Sequence, residues 1–142
     1  MKRLLPTLCI SLCVSVAHAE TRYVCASGTC PSPRYWTIQS AIDASSDGDV
    51  IEIAAGNYFP LAVITIFNKT ITIRGETDAS GQPLTVISGW DVAPAEEFFS
   101  EGGVIHCSGI VGADTVLENL IIRDGDAHLG GGMYCIAGPT LR

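Results

Sequence analysis

The sequence predicts an all-β protein built as a parallel solenoid, with a short N-terminal capping α-helix. Short runs of β-branched and aliphatic residues, bounded by Gly, Asn or Asp, recur from Val50 onward. No second amphipathic helix lies between these runs, which argues against alternating strand–helix units. Related strand segments recur at a period of roughly 20 to 28 residues, which is typical of coils that stack on one another.

The first 19 residues have the pattern of a secretory signal peptide. Two cations, Lys2 and Arg3, precede an apolar run from Leu4 to Val16, and the small residues Ala17 and Ala19 follow. The apolar run is shorter than the roughly 20 residues that a membrane-spanning helix needs. We therefore predict cleavage after Ala19 and a secreted or cell-surface protein with no membrane span in the mature chain.

The charge balance argues against nucleic acid as a partner. Eight basic residues less Lys2 and Arg3 leave six, against fifteen acidic residues, which gives a net charge of −9 for the mature chain. Binding to phosphates needs a basic stripe that this sequence lacks. The dispersed acidic residues are typical of a solvated surface that keeps an exported protein soluble.

Residues 20–36 are predicted to be a cysteine-stapled leader. Four cysteines follow the signal peptide, and an even set in an exported chain indicates disulfides. Cys25 and Cys30 flank the turn-prone "ASGT" and form the easiest closure, so Cys107 and Cys135 pair by default, although four cysteines permit three connectivities. Zinc is disfavoured because the spacing is C-x4-C and His106 is expected on the strand face opposite to Cys107.

The capping helix is predicted just after this leader. Ile38, Ala41 and Ile42 have helical spacing, Thr37 is a suitable N-cap, and Gly48 is expected to end the helix. A solenoid has an open end, where backbone edges and apolar side chains meet water. A helix with an apolar stripe covers that end, so we assign it a stabilising role.

The strand segments support interior ladders of aliphatic side chains. Two sets of segments align: "IEIAAG", "ITIRG" and "LIIRDG", which begin at Ile51, Ile71 and Leu120, and "GVIHC" with "GGMYC". In a stack of coils the apolar positions of such repeats lie above one another. If instead the segments formed antiparallel hairpins, or if Ile51 and Ile73 faced solvent, this prediction would be wrong.

These residues resemble a known superfamily. The stretches "WTIQSAIDASSDGDVIEIAAGNY", "KTITIRGE" and "TVISG" are similar to the amino-terminal portion of pectin-lyase-like, right-handed parallel β-helix proteins, and "GGGMY" and "PTL" resemble coils of large exported bacterial members. The resemblance implies that residues 37–142 are the N-terminal coils of a right-handed parallel β-helix. Because "GGMYCIAGPTLR" begins a coil and no cap follows it, we expect either truncation from a longer protein or another subunit that covers this edge. The superfamily includes lyases, esterases and adhesins, so the activity stays open.

Comparison with the enzymes of this superfamily gives no catalytic set. Gly56 and Tyr58 match a glycine-x-tyrosine-x-glutamate motif of pectinesterases, but Pro60 occupies the position of the glutamate. Asp124 and Asp126 are candidate calcium ligands, because carboxylate oxygens bind hard cations. The alternative is an ordinary turn, since Asp-Gly-Asp after a strand is common turn chemistry and two carboxylates make an incomplete cage. No other cofactor is expected.

The predicted function is non-catalytic binding of a polysaccharide or cell-surface glycan, or surface attachment. Tyr58, Phe59 and Trp90 are aromatic residues that can stack on sugar rings or pack in the core. The alternative is the N-terminal part of a polysaccharide-active enzyme, pectate lyase-like or pectinesterase-like. An acidic cage with an Arg or Lys on one outer strand face of later coils would favour that alternative.

Overall fold

The computed structural model describes residues 18–26, 28–89, 103–126, 131–136 and 138–142. The predicted signal peptide lies outside these ranges except for His18 and Ala19, and Trp90 also lies outside them. The elements of the described part are β1 (Thr21–Val24), β2 (Arg34–Tyr35), α1 (Ile38–Ala44), β3 (Val50–Ile53), β4 (Gly56–Tyr58), β5 (Ile64–Phe67), β6 (Thr72–Gly75), β7 (Thr85–Ser88), β8 (Ile105–Ser108), β9 (Val116–Glu118), β10 (Leu120–Arg123), β11 (Met133–Cys135) and β12 (Thr140–Leu141).

The strands form three sheets in which every ladder is parallel. Sheet A has six strands in the order β12-β9-β6-β3-β1-β2, sheet B has the order β10-β7-β4, and sheet C has the order β11-β8-β5. From β3 onward the chain visits A, then B, then C, and returns to A. The prediction of an all-β protein with a short helix is confirmed for the described residues.

Aligned inward side chains of the three sheets form the core. Ile51 pairs in register with Ile73 in sheet A, and both are buried. Neighbouring rows are Tyr58, Ile87 and Ile122 in sheet B and Ile64, Ile105 and Met133 in sheet C. Burial of such a side chain is worth about 1.5–3 kcal/mol. The inward rows therefore stabilise the fold through burial of apolar side chains.

The aligned repeats are partly confirmed. "GVIHC" and "GGMYC" match residue for residue, since Ile105 pairs with Met133. Ile51, however, pairs with Ile73 and not with Ile71, so the first alignment was wrong by two residues. The third member, "LIIRDG", was also misassigned because it includes β10 of sheet B, and the corresponding strand of sheet A is β9. Asn119 separates these two strands with a φ of 58°, a conformation that Asn tolerates.

The capping helix begins as predicted. The Thr37 side chain accepts from the backbone N–H of Ser40 at 3.1 Å, which makes Thr37 the N-cap. Ile38, Ala41 and Ile42 are buried against the core cluster. The apolar stripe read from the sequence is therefore the face that covers the end of the core.

The end of the helix differs from the prediction. The helix ends at Ala44 with Ser45 as C-cap, and Gly48, with a φ of 88°, belongs to the turn before β3. The reason is Lys69, whose ammonium donates to three carbonyls at this terminus, those of Ile42, Asp43 and Ser45. A cation that satisfies the last carbonyls removes the need for a left-handed glycine there.

The predicted leader and the helix together cover two sheet edges. In the leader, β1 pairs with β3 and β2 pairs with β1, so both strands extend sheet A. At sheet C, the Gln39 carboxamide accepts from the backbone N–H of Thr65 at 2.8 Å and donates to its carbonyl at 3.1 Å. One side chain thus substitutes for a neighbouring strand, which blocks pairing of β5 with another chain.

Candidate functional site

A cleft of about 430 Å³ lies beside the start of the helix. This volume is in the usual range for small-ligand sites. Its walls come from the segment around Trp36 and from the residues that follow β4, and its floor includes buried Ile38, Tyr58 and Ile64. None of the described residues on its walls is charged.

Trp36 forms one wall of the cleft. Its side chain is 67% exposed, and the Arg34 guanidinium lies 4.5 Å from the centroid of the indole ring. A cation over the face of Trp is attracted by the ring quadrupole. The arginine covers one face of the indole ring. The opposite face does not contact Arg34, and much of the side chain is exposed to water.

The opposite wall follows from the geometry of β4. Tyr58 points inward, and its hydroxyl donates to the carbonyl of Ala54 at 2.9 Å. Because side chains alternate along a strand, Phe59 then points outward, and it is 51% exposed. Pro60 follows, and a residue without an N–H is suited to ending a strand. Exposed Leu61 extends the wall.

The structure separates the two aromatic residues that the sequence grouped. Burial raises the pKa of Tyr58, backbone hydrogen bonding opposes the rise, and the charge of Glu76 adds to it. The neutral phenol anchors the floor, whereas Phe59 offers its ring to the cleft. Trp90, the third aromatic candidate, lies outside the described residues.

The polar groups of the cleft differ in whether they already have hydrogen-bond partners within the chain. The Gln39 carboxamide is occupied by Thr65 and by Asp43, and the Thr37 hydroxyl contacts Ser40. Asn57 also lines the cleft and is exposed. The arrangement of two exposed aromatic rings with a nearby carboxamide suits a flat ligand that has both apolar faces and hydroxyl groups.

A second cluster lies on the outer face of sheet A, in register across three strands. Glu52, Arg74 and Glu118 are aligned on β3, β6 and β9. Arg74 bonds Glu52 at 2.9 Å and also pairs with Glu118. The guanidinium bridges both carboxylates, which is the geometry of a structural ion-pair row.

The predicted calcium ligands follow β10. Asp124 has a φ of 57°, accepts from the Ser88 hydroxyl at 2.8 Å and pairs with Arg123 at 3.3 Å. Asp126 is exposed nearby. Across the ranges that the structure describes, no group of three or more His, Cys, Asp or Glu residues is placed to hold a metal ion.

The four cysteines form two pairs of different character. Cys25 and Cys30 form a disulfide with Cα atoms 6.5 Å apart, which closes the loop between β1 and β2. Cys107 and Cys135 are register partners on β8 and β11, and both are free thiols in the structure. Burial raises the pKa of Cys107, and hydrogen bonding with Cys135 adds to the rise. The disulfide between Cys107 and Cys135 stays a prediction.

Comparison with known proteins gives no relative: no protein-family profile, curated protein or solved structure matches the chain. Among the described residues, no helix has the length and apolar character needed to cross a membrane.

Sequence reasoning missed Trp36, Arg34 and Leu61 as parts of a site. A signal for Trp36 was present, since it lies just before the N-cap and outside the apolar spacing of the helix. A large aromatic residue at that position lies outside the apolar face of the helix, so it does not contribute to the packing of the helix against the core. The contribution of Leu61 depends on the path of the chain after Pro60, which no periodicity encodes.

Proposed function

We propose that this chain is an exported module with parallel β-helix architecture that binds carbohydrate, without catalysis, in the cleft between Trp36 and Phe59. The repeated A, B, C order of strands and the inward rows of aligned aliphatic residues support the architecture. Right-handed winding is the usual hand for parallel crossovers. Signal-peptide-like residues 1–19 and the Cys25–Cys30 disulfide support export.

The observation that carries the binding proposal is the exposure of two aromatic rings on one cleft. Exposed Trp36 and Phe59 keep apolar area in water that folding alone does not require. A pyranose ring has an apolar C–H face that packs on such a ring, and its hydroxyl groups suit the Asn57 carboxamide. An uncharged wall favours a neutral glycan over a strongly charged one.

The test is binding of the secreted chain to a panel of neutral and acidic polysaccharides. Trp36→Ala and Phe59→Ala should each weaken binding roughly tenfold or more, the loss typical of a central aromatic contact. Phe67→Ala is the matched control, since Phe67 is 58% exposed and is not among the residues that line the cleft.

Three results would contradict the proposal. The first is an absence of binding across the panel. The second is equal loss in Phe67→Ala and Phe59→Ala, which would indicate non-specific adhesion by exposed rings. The third is release of unsaturated sugars from polygalacturonate, with or without calcium, because that result would indicate a lyase.

A further inference from the structure

The backbone nitrogen of Glu20 contacts a buried carboxylate. It donates to Asp49 Oδ1 at 2.8 Å, and the Asp49 side chain is only 3% exposed. The other oxygen of Asp49, Oδ2, accepts from the backbone N–H of Ser46 at 2.7 Å and pairs with Arg22. The first residue after the predicted cleavage point therefore lies on the most buried carboxylate that the described acidic residues provide.

The cluster is short of one positive charge. Arg22 bonds both Asp49 and the Glu20 carboxylate, the latter at 2.9 Å. Two carboxylates face one guanidinium: the Glu20 carboxylate is 54% exposed and hydrated, whereas Asp49 is 3% exposed and has Arg22 as its one charged partner among the described residues.

The position of Glu20 is fixed by its neighbours on the C-terminal side. The Val50 N–H donates to the Glu20 carbonyl at 3.0 Å, and β1 pairs in register with β3 directly after it. His18 and Ala19 are exposed. Loss of the residues before Glu20 thus leaves its nitrogen where it is.

We propose that removal of residues 1–19 completes this cluster, because it places a new α-ammonium group on Glu20 beside Asp49. Hydrolysis of the Ala19–Glu20 amide by water leaves a carboxylate on Ala19 and an amine on Glu20. The amine takes up a proton below its ordinary pKa of about 7.7–8.0. The new charge and that of Arg22 together balance the two carboxylates of Glu20 and Asp49, so proteolytic processing stabilises the folded chain. This inference does not depend on the carbohydrate cleft.

The experiment compares two forms of the chain that begin at Glu20, one with a free α-amine and one acetylated there. Acetylation keeps an N–H donor for Asp49 and removes the charge, so the comparison isolates the ion pair. We expect the free-amine form to melt higher by roughly 4 to 8 °C at neutral pH. In Asp49→Asn chains the difference between the two forms should disappear.

A second measurement keeps the proposal testable if Asp49→Asn does not fold. In the folded wild-type chain, acetic anhydride should modify the Glu20 α-amine at least tenfold more slowly than the α-amine of a chain extended by Ala19. N-terminal sequencing of the exported protein should give Glu20 first. Equal melting of the two forms, equal acylation rates, a melting difference that persists in Asp49→Asn, or another first residue would each overturn the proposal.

Discussion

Sheet A carries two charge clusters that use the same chemistry at different depths. Arg22 and Asp49 link β1 to the turn before β3, with side chains 9% and 3% exposed. Arg22 also lies in register with Ile51, so it occupies the end of an inward apolar row. The second cluster, Glu52–Arg74–Glu118, lies across the outer face, and Arg74 is 44% exposed.

The difference in burial changes what each cluster contributes. Water and salt screen the outer row, and exposed ion pairs are worth about 0–1 kcal/mol. In the buried cluster each partner compensates a charge that has lost its hydration, so removal of one partner leaves the other uncompensated. An inward charge on a strand near a sheet edge also disfavours pairing with another chain. The buried cluster therefore contributes to stability at the end of the core, whereas the outer row adds little to the stability of the fold.

The largest expected effect is that of Asp49→Ala. The change leaves the buried Arg22 guanidinium with the half-exposed Glu20 carboxylate in place of a buried partner, and it removes the acceptor for the N–H groups of Glu20 and Ser46. We expect a loss of about 3–5 kcal/mol in the free energy of unfolding, measured by urea denaturation. Asp114→Ala, at an exposed aspartate, is the control and should change stability by less than about 0.5 kcal/mol. A loss below about 1 kcal/mol for Asp49→Ala would mean that burial does not raise the contribution of this cluster to stability above that of the outer row.

The next effect is a loss of stability in acid that depends on Asp49. Burial acts to raise the pKa of Asp49, but hydrogen bonds from Ser46 and Glu20 and the charge of Arg22 outweigh it, so the pKa lies below 3.8. A lowered pKa stabilises the fold above the unfolded value, and this contribution is lost as the pH falls through the folded-state pKa.

Asp49→Asn provides the measurement for this acid effect. The stability difference between wild type and Asp49→Asn should be constant from neutral pH down to about pH 4 and should shrink below that. An unchanged difference at about pH 2 would show that the carboxylate charge contributes nothing.

Much of the fold was predictable because apolar residues that face the core alternate with outward-facing residues along the strands. Ile51 and Ile53 alternate with outward residues, and so do Ile64 and Ile66, so a period of two gives both strand and inward face. The N-cap at Thr37 was predictable because its side-chain contact is local. The strand β2 was missed because two residues carry too little periodicity.

The features that were missed depend on contacts distant in sequence. The end of the helix is set by hydrogen bonds from Lys69 to the carbonyls of Ile42 and Ser45. Because Lys69 is distant from these residues in the sequence, the contact leaves no local sequence pattern. The burial of Arg22 was equally hidden, since an arginine in a strand is ordinarily exposed. Its partner Asp49 directly follows Gly48 in the turn before β3, where an aspartate is ordinarily explained by turn chemistry alone. Trp36 and Phe59 both line the candidate cleft although they are distant in sequence, and no sequence spacing predicts that they share one cleft.

The smallest expected effect is that of Arg74→Met, which removes the centre of the outer row. Methionine keeps most of the aliphatic stem, so the change tests charge more than packing. Stability should fall by no more than about 1 kcal/mol at low salt, and the loss should shrink further at about 0.5 M salt, because the pairs are screened there. Arg22→Met is the matched comparison: the same substitution on the same sheet should cost several times more and should respond less to salt. Equal costs for the two variants would show that the outer row is as important to the fold as the buried pair, and the distinction between them would fail.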